Sequence, residues 1–324
     1  MVPANSCKFT LNMEIYENRP GYSSNQPWLL SLTVLVLIVF GALAMLQAIA
    51  LGLLPFLFGI PFDQIQYLLS ASSDHANARL AFLFIQGLGG GLGFFAGGWL
   101  FIRLVDKKTL RLEQQFAPGK FKNLWIVLPI LISFVLFNSL LVYLNMNVDF
   151  PEALSGLEAT LREKEDQLME LTKYLTDFDT VGEFLLGVLV IGVLAGIGEE
   201  YLFRGIIQPK MHYYTGNANW GVWITAFIFS AIHFQFFGFL PRLMLGALFG
   251  YLYLYSGSLL YPILAHILNN TLTVSMVYLN KLGVMEFDLE DANQLYWEYV
   301  VVGLVIFLLC WNWFIKSNKN SVYE

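Results

Sequence analysis

Charge is scarce in this sequence: 13% of its 324 residues are Asp, Glu, Lys or Arg, where an ordinary soluble domain has about a quarter. Beside 57% hydrophobic and 16% aromatic residues, that shortage excludes a soluble globular domain, and no basic stretch is present to hold nucleic acid. Cysteine is nearly missing as well. Cys7 and Cys310 lie far apart, so there is neither a disulfide framework nor a zinc-type cysteine spacing. The HExxH pattern of zinc peptidases is absent, and no two histidines share a helical turn. Residues 1–27 have no long apolar run before a small-residue cleavage site, so they read as an unremoved cytosolic arm. The net charge of −6 excludes little, because in membrane proteins the placement of Lys and Arg matters more than their sum.

What is there is apolar sequence in membrane-length runs. With roughly 20 residues per crossing, the spans fall near 28–53, 80–104, 123–146, 182–208, 219–236, 240–256, 259–280 and 295–315. The expected fold is therefore an all-α, polytopic membrane bundle of about eight helices. The second span carries Gly87, Gly89, Gly90, Gly91, Gly93, Gly97 and Gly98. No strand precedes them, so they are read as small residues that let helix backbones approach in lipid, not as a phosphate loop. Arg103, Lys107, Lys108, Arg111, Lys120 and Lys122 crowd the following loop and assign it to the cytosol. Counting from there puts both termini on the cytosolic side of a cell inner membrane. Residues 152–177 form one charged, amphipathic helix with leucines near heptad spacing, expected to pack on the bundle's own surface, with homodimerisation as the sharper alternative.

Against this background Gly198-Glu199-Glu200-Tyr201-Leu202-Phe203-Arg204-Gly205 stands out, since bare charge at membrane depth is costly and needs a reason. Glu200 and Arg204 are four apart and can pair on one helix face, leaving Glu199 about 100° away and free for chemistry. Downstream, Phe229 sits one turn before His233, and His266 one turn before Asn270. Peptide hydrolysis needs a base for water and donors for the oxyanion. Glu199 suits the first role, His233 could pass the proton on, and His266 with Asn270 could hold the oxyanion. Two histidines and a glutamate could instead bind zinc, but Asn270 is a poor zinc ligand, so no cofactor is expected and a metal-assisted version remains the alternative. Taken singly, each of these residues has a plainer reading, as a helix staple or a satisfied interior histidine. His75 and His212 read as incidental, Phe229, Tyr201 and Phe203 as packing, and Asn269 as a helix–helix hydrogen-bonder.

The three patterns, Glu199-Glu200-xxx-Arg204, Phe229-xxx-His233 and His266-xxx-Asn270, occur in order on separate spans, and in this the chain resembles the CPBP family, the CAAX proteases and bacteriocin-processing enzymes also called Abi proteins. The resemblance covers about residues 180–280. It implies an intramembrane glutamate protease in which Glu199 and His233 activate water, His266 and Asn270 stabilise the oxyanion, and Glu200 and Arg204 support them. It implies a membrane-associated peptide or protein as substrate. In eukaryotes the family removes a terminal tripeptide from a prenylated protein, while bacterial relatives are associated with peptide maturation, bacteriocin immunity or scaffolding; the residues do not choose among these. The chain then divides into an arm (1–27), spans one to three (28–147), the extramembrane helix (148–180), a CPBP-like core (181–282) and a last span with a tail (283–324). Two rivals stand beside this reading: a catalytically silent scaffold or immunity protein of the same fold, and a proton- or ion-coupled transporter. One tension is built in. Measured from the span centres, Glu199 lies roughly 5 Å toward one side and His233 roughly 8 Å toward the other, so a tilt, a break or a shifted boundary in the fifth span is required.

Overall fold

The computed structural model describes residues 16–18, 27–69, 75–286 and 295–323. It is an all-α bundle, and its helices follow the predicted runs: α1 (Trp28–Leu57), α2 (Ala78–Asp106), α3 (Leu124–Met146), α4 (Ser155–Thr176), α5 (Val181–Thr215), α6 (Ala218–Ala231), α7 (Phe239–Ser256), α8 (Leu260–Lys281) and α9 (Trp297–Tyr323). Five of these, α1, α2, α3, α5 and α9, are long and apolar enough to cross a membrane by length and composition. The chain is an integral membrane protein. Helices stand at the places of the other three expected spans, but α6, α7 and α8 are shorter or more polar than a free-standing span, so the expected count of eight is not confirmed. The exposed large side chains of α1 and α9, among them Leu37, Phe40, Leu308 and Leu309, supply the lipid-facing surface. Among the described residues the one strand pairing is antiparallel, Tyr16–Asn18 against Lys108–Leu110, and the rest of the expected 1–27 arm, save Pro27, lies outside the described residues.

The glycines of α2 sort onto two faces. Gly89, Gly93 and Gly97, four apart, lie against Gln47, Leu43 and Val39 of α1, while Gly87, Gly91 and Gly98 lie against Val190, Leu194 and Ile206 of α5. A Cβ on Gly198 would run into the carbonyl oxygen of Gly91. Helix α2 is thus a thin spacer that lets α5 approach at backbone distance immediately beside Glu199.

Turns set the order of the core. Gly216, left-handed at φ +65°, ends α5, and Asn217 caps α6 by accepting from the amides of Asn219 and Trp220. Gly257, at φ +61°, ends α7. Thr180 caps α5 by accepting from the Glu183 amide at 3.1 Å. One end of the bundle is tied by Arg79, which reaches Asp177, Asp179 and Glu183, and by Lys281, which reaches Asp177 and Asp179. At the other end Lys210 pairs with Asp106 and donates to Ser31.

Helix α4 lies where the amphipathic pattern placed it. Leu171, Tyr174 and Leu175 pack on the cluster formed by Phe82 and Ile85 of α2 with Ala50 and Leu54 of α1, while Leu154 and Leu157 stay exposed.

Candidate active site

Helix α5 carries the two carboxylates in a regular α-helical stretch bracketed by two widened, π-helical turns, Val188–Leu194 and Phe203–Ile207. Such turns turn backbone carbonyls toward side chains and are common at functional sites. The predicted pair forms: Arg204 Nη1 donates to Glu200 Oε1 at 2.7 Å, with both side chains wholly buried. The other arm of the guanidinium, Nη2, donates to the carbonyl of Gly246 on α7 at 2.7 Å. One turn on, Gln208 Nε2 donates to the Gly250 carbonyl at 3.0 Å, so α5 grips α7 by two rungs in register. Both acceptors are glycines because the space over them is already filled: a Cβ on Gly246 would press on Phe229 and Ala226, and one on Gly250 on Val222 and Gln208.

Glu200 Oε1 accepts a second hydrogen bond, from His266 Nδ1 at 2.7 Å. A carboxylate oxygen paired with an arginine can only accept, so Nδ1 carries the hydrogen and the ring is oriented with Nε2 toward Glu199. The His266 Nε2 to Glu199 Oε2 separation is 4.0 Å, too long for a direct hydrogen bond. Glu199 Oε2 is buried and has no hydrogen-bond partner among the described residues. The order Arg204, Glu200, His266, Glu199 is thus a chain of charged and polar groups ending on an uncommitted carboxylate oxygen.

Two rings wall this chain. Phe249 of α7 stacks on His266 at 5.1 Å, and Phe229 of α6 meets the same imidazole edge-on at 5.9 Å. Phe229 also lies 4.8 Å from the Arg204 guanidinium and 5.2 Å from the His233 ring, so it touches three of the motif side chains rather than only packing nearby.

His233 is not on a helix. Helix α6 stops at Ala231, short of the expected 236, and His233 lies in the turn that follows, its Nδ1 2.8 Å from the Phe229 carbonyl. The carbonyl accepts, so Nδ1 donates and Nε2 is left as an acceptor. The boundary of the fifth span is thus shifted by five residues from the expected one. Phe234 next to it is left-handed at φ +55° and 81% exposed. The turn is held from outside α6: Asn145 of α3 donates to the Phe236 carbonyl and accepts from the Leu240 amide, and Glu165 of α4 accepts from Gln235 Nε2 and the Phe237 amide. The Arg162 guanidinium lies over the Phe237 ring at 4.2 Å.

Asn270 donates from Nδ2 to the Ile191 carbonyl, in the first widened turn of α5, at 2.9 Å. An amide nitrogen carries two hydrogens, so one stays available. Asn269 donates to Asn270 Oδ1 at 3.2 Å within α8, not across to another helix as expected. His212 is buried at the α5–α6 hairpin against Gly221, and the half-buried His75 accepts from the Asn77 amide.

The sequence reading missed Gln208, Glu165, Asn145 and Arg242. Asn138 and Asn145, seven apart in an apolar span and so on one face, were a legible signal. Arg242, inside the expected sixth span, lies in the first turn of α7.

Among the described residues no three of His, Cys, Asp and Glu gather as a metal site. Glu200 Oε1 and His266 Nδ1 are spent on each other, which leaves Glu199 Oε2, Glu200 Oε2 and His266 Nε2 as the open acceptor atoms of this chain.

Residues 181–272 match the family described as Type II CAAX prenyl endopeptidase Rce1-like, a stretch that contains all six motif residues. Comparison with curated proteins and with solved structures gives no match. The α5–α8 core with its Glu-Glu-Arg, His and His-Asn constellation is thus similar to the CPBP/CAAX protease family over these residues.

Proposed function

We propose that the protein is an intramembrane endopeptidase that hydrolyses a peptide bond in a membrane-associated peptide or protein, without a resident cofactor. The observation that carries this reading is the uncommitted Glu199 Oε2, 4.0 Å from an imidazole whose far side is locked by the buried Glu200–Arg204 pair. A separation of that size suits one bridging water. Glu199 takes a proton from that water as its oxygen attacks the scissile carbonyl; the C–O bond forms, and charge develops on the carbonyl oxygen. The second Nδ2 hydrogen of Asn270 is the donor for that oxyanion, while His266, whose one N–H is committed to Glu200, accepts from the water at Nε2. When the tetrahedral intermediate collapses, the C–N bond breaks and the proton goes to the leaving amine, with His233 as the relay. Arg204 and Glu200 hold the His266 tautomer and offset one of the two buried carboxylates.

The Lys/Arg-rich loop after α2 supports a cytosolic position for that end of the bundle and for both termini, in a cell inner membrane. The His233 turn then lies toward the opposite face, on the side of α4 and of the Arg79–Lys281 clasp. The substrate is met from that side.

The test is the set of membrane-protein termini in cells carrying wild-type or Glu199→Gln protein at equal abundance. Specific termini present with wild type and missing with Glu199→Gln are expected. Identical termini, with the variant still supporting any phenotype of the wild type, would make the chain a silent scaffold of this fold.

A further inference from the structure

A cavity of about 480 Å³ opens between α3, α4, α7 and the turn that begins at His233. Its wall holds two buried polar atoms without hydrogen-bond partners among the described residues, Arg242 Nη1 and Asn138 Oδ1. Neither group is loose. Arg242 Nη2 donates to Gln235 Oε1 at 2.6 Å, and Gln235 in turn donates to Glu165. Asn138 Nδ2 donates to the Pro241 carbonyl at 3.3 Å, which can only accept, so the amide orientation is fixed with Oδ1 as the spare acceptor. A buried donor and a buried acceptor without partners, on two residues that line one cavity, cost free energy unless a ligand meets both. An acyl chain offers neither group and a simple anion offers only acceptors, whereas a peptide group offers a C=O and an N–H together. Between these atoms the wall is aliphatic, with Val142, Met169 and Leu245. The cavity also adjoins the candidate active site: its floor is the turn that carries His233, and the Arg242 charge is within electrostatic reach of Glu199 and His233.

We propose that this cavity is a substrate subsite that binds one peptide group beside the scissile bond, with Arg242 donating to its carbonyl, Asn138 accepting from its N–H, and an aliphatic side chain seated on Val142, Met169 and Leu245. The inference rests on the endopeptidase reading and adds what that reading does not supply, namely where the chain flanking the cut is held. It assigns Arg242 and Asn138 to binding, not to the chemical step.

The experiment uses the full-length protein in phospholipid nanodiscs and a library of palmitoylated, fluorescent decapeptides with aliphatic cores. Binding is measured in the Glu199→Gln background and cleavage in wild type. The tightest-binding sequence is then remade with each amide in turn replaced by an ester, which removes one N–H without touching the protein's fold. One position is expected to weaken binding about tenfold, equivalent to about 1.4 kcal/mol. That loss should vanish in Asn138→Leu, and Arg242→Gln should weaken every peptide. A flat ester scan, an ester loss that persists in Asn138→Leu, or a library with no binding sequence overturns the subsite. So does co-purified phospholipid that falls in Arg242→Gln and that peptide does not displace. Glu199-dependent cleavage with a flat scan sinks the subsite alone; the ester pattern without Glu199-dependent cleavage supports the subsite and sinks the proteolytic reading.

Discussion

Replacing Arg204 with methionine tests the electrostatic design of the core directly. Arg204 and Glu200 are both wholly buried and meet at 2.7 Å, so at an effective dielectric of ~20 their attraction is roughly 6 kcal/mol, set against several kcal/mol of desolvation for each ion. The pair as a whole is near break-even. Breaking it is not, because Arg204→Met leaves the Glu200 charge facing only His266, and also orphans the Gly246 carbonyl. The expected loss is about 3–5 kcal/mol of stability. Glu200→Gln alone should cost a similar amount, since it leaves the guanidinium as the uncompensated ion. The double variant Glu200→Gln with Arg204→Met removes both charges, keeps an acceptor for His266 Nδ1, and should cost only ~1–3 kcal/mol for the stranded carbonyl. The assay is reversible unfolding in mixed micelles, read as a double-mutant cycle. Additive losses, or an Arg204→Met protein as stable as wild type, would refute the reasoning, because either outcome means that the pair is solvated or does not form.

Two further outcomes follow from the packing and from the charged end of the bundle. Gly198→Ala should cost ~1–3 kcal/mol or more, because its Cβ meets the Gly91 backbone and the α2–α5 contact has to open; a paired Ala at exposed Gly119, which has open space around it, should leave stability unchanged in the same unfolding assay. Asp179 has its carboxyl held down to about 2 by hydrogen bonds from Lys281 and Arg79, below its ordinary 3.8. A depressed folded-state value contributes stability above the unfolded pKa and loses it as pH falls through the folded one. The melting-temperature gap between wild type and Asp179→Asn should therefore be constant from pH 7 to 5 and close between about pH 4 and 2; a gap that widens on acidification contradicts the assignment.

Much of the core was legible because lipid punishes ambiguity. A glutamate pair and an arginine in apolar sequence demand partners, and the i,i+4 spacing of Glu200 and Arg204 named one of them, which forms. The glycines of α2 were legible as helix contacts, although their division between α1 and α5 needed three-dimensional packing to appear. What sequence spacing could not give is which partner each ring nitrogen takes. His266 reads in sequence as one turn from Asn270, yet its Nδ1 is engaged by Glu200 and its Nε2 faces Glu199, a relation set by the crossing of α5 and α8. Periodicity was equally silent on the end of α6. Apolar residues continue through Phe237, so the pattern extends the span, whereas Asn145 and Glu165, distant in sequence, draw the backbone into a turn from Ile232 onward. The amphipathic helix was placed correctly but undervalued, since Glu165 bears on the histidine turn from a segment whose charges read as merely solvated.

The position of His233 past the end of α6 divides the constellation into parts of unequal stiffness. Glu199, Glu200 and His266 are cast in long helices clamped by glycine contacts, whereas His233 rides on a short connector whose next residue, Phe234, stands in a backbone conformation that disfavours its own side chain by roughly 1–2 kcal/mol. On the endopeptidase proposal, variation in Gln235, Phe236 and Phe237 would change the shape a substrate meets while leaving the carboxylates and imidazole of α5 and α8 in place.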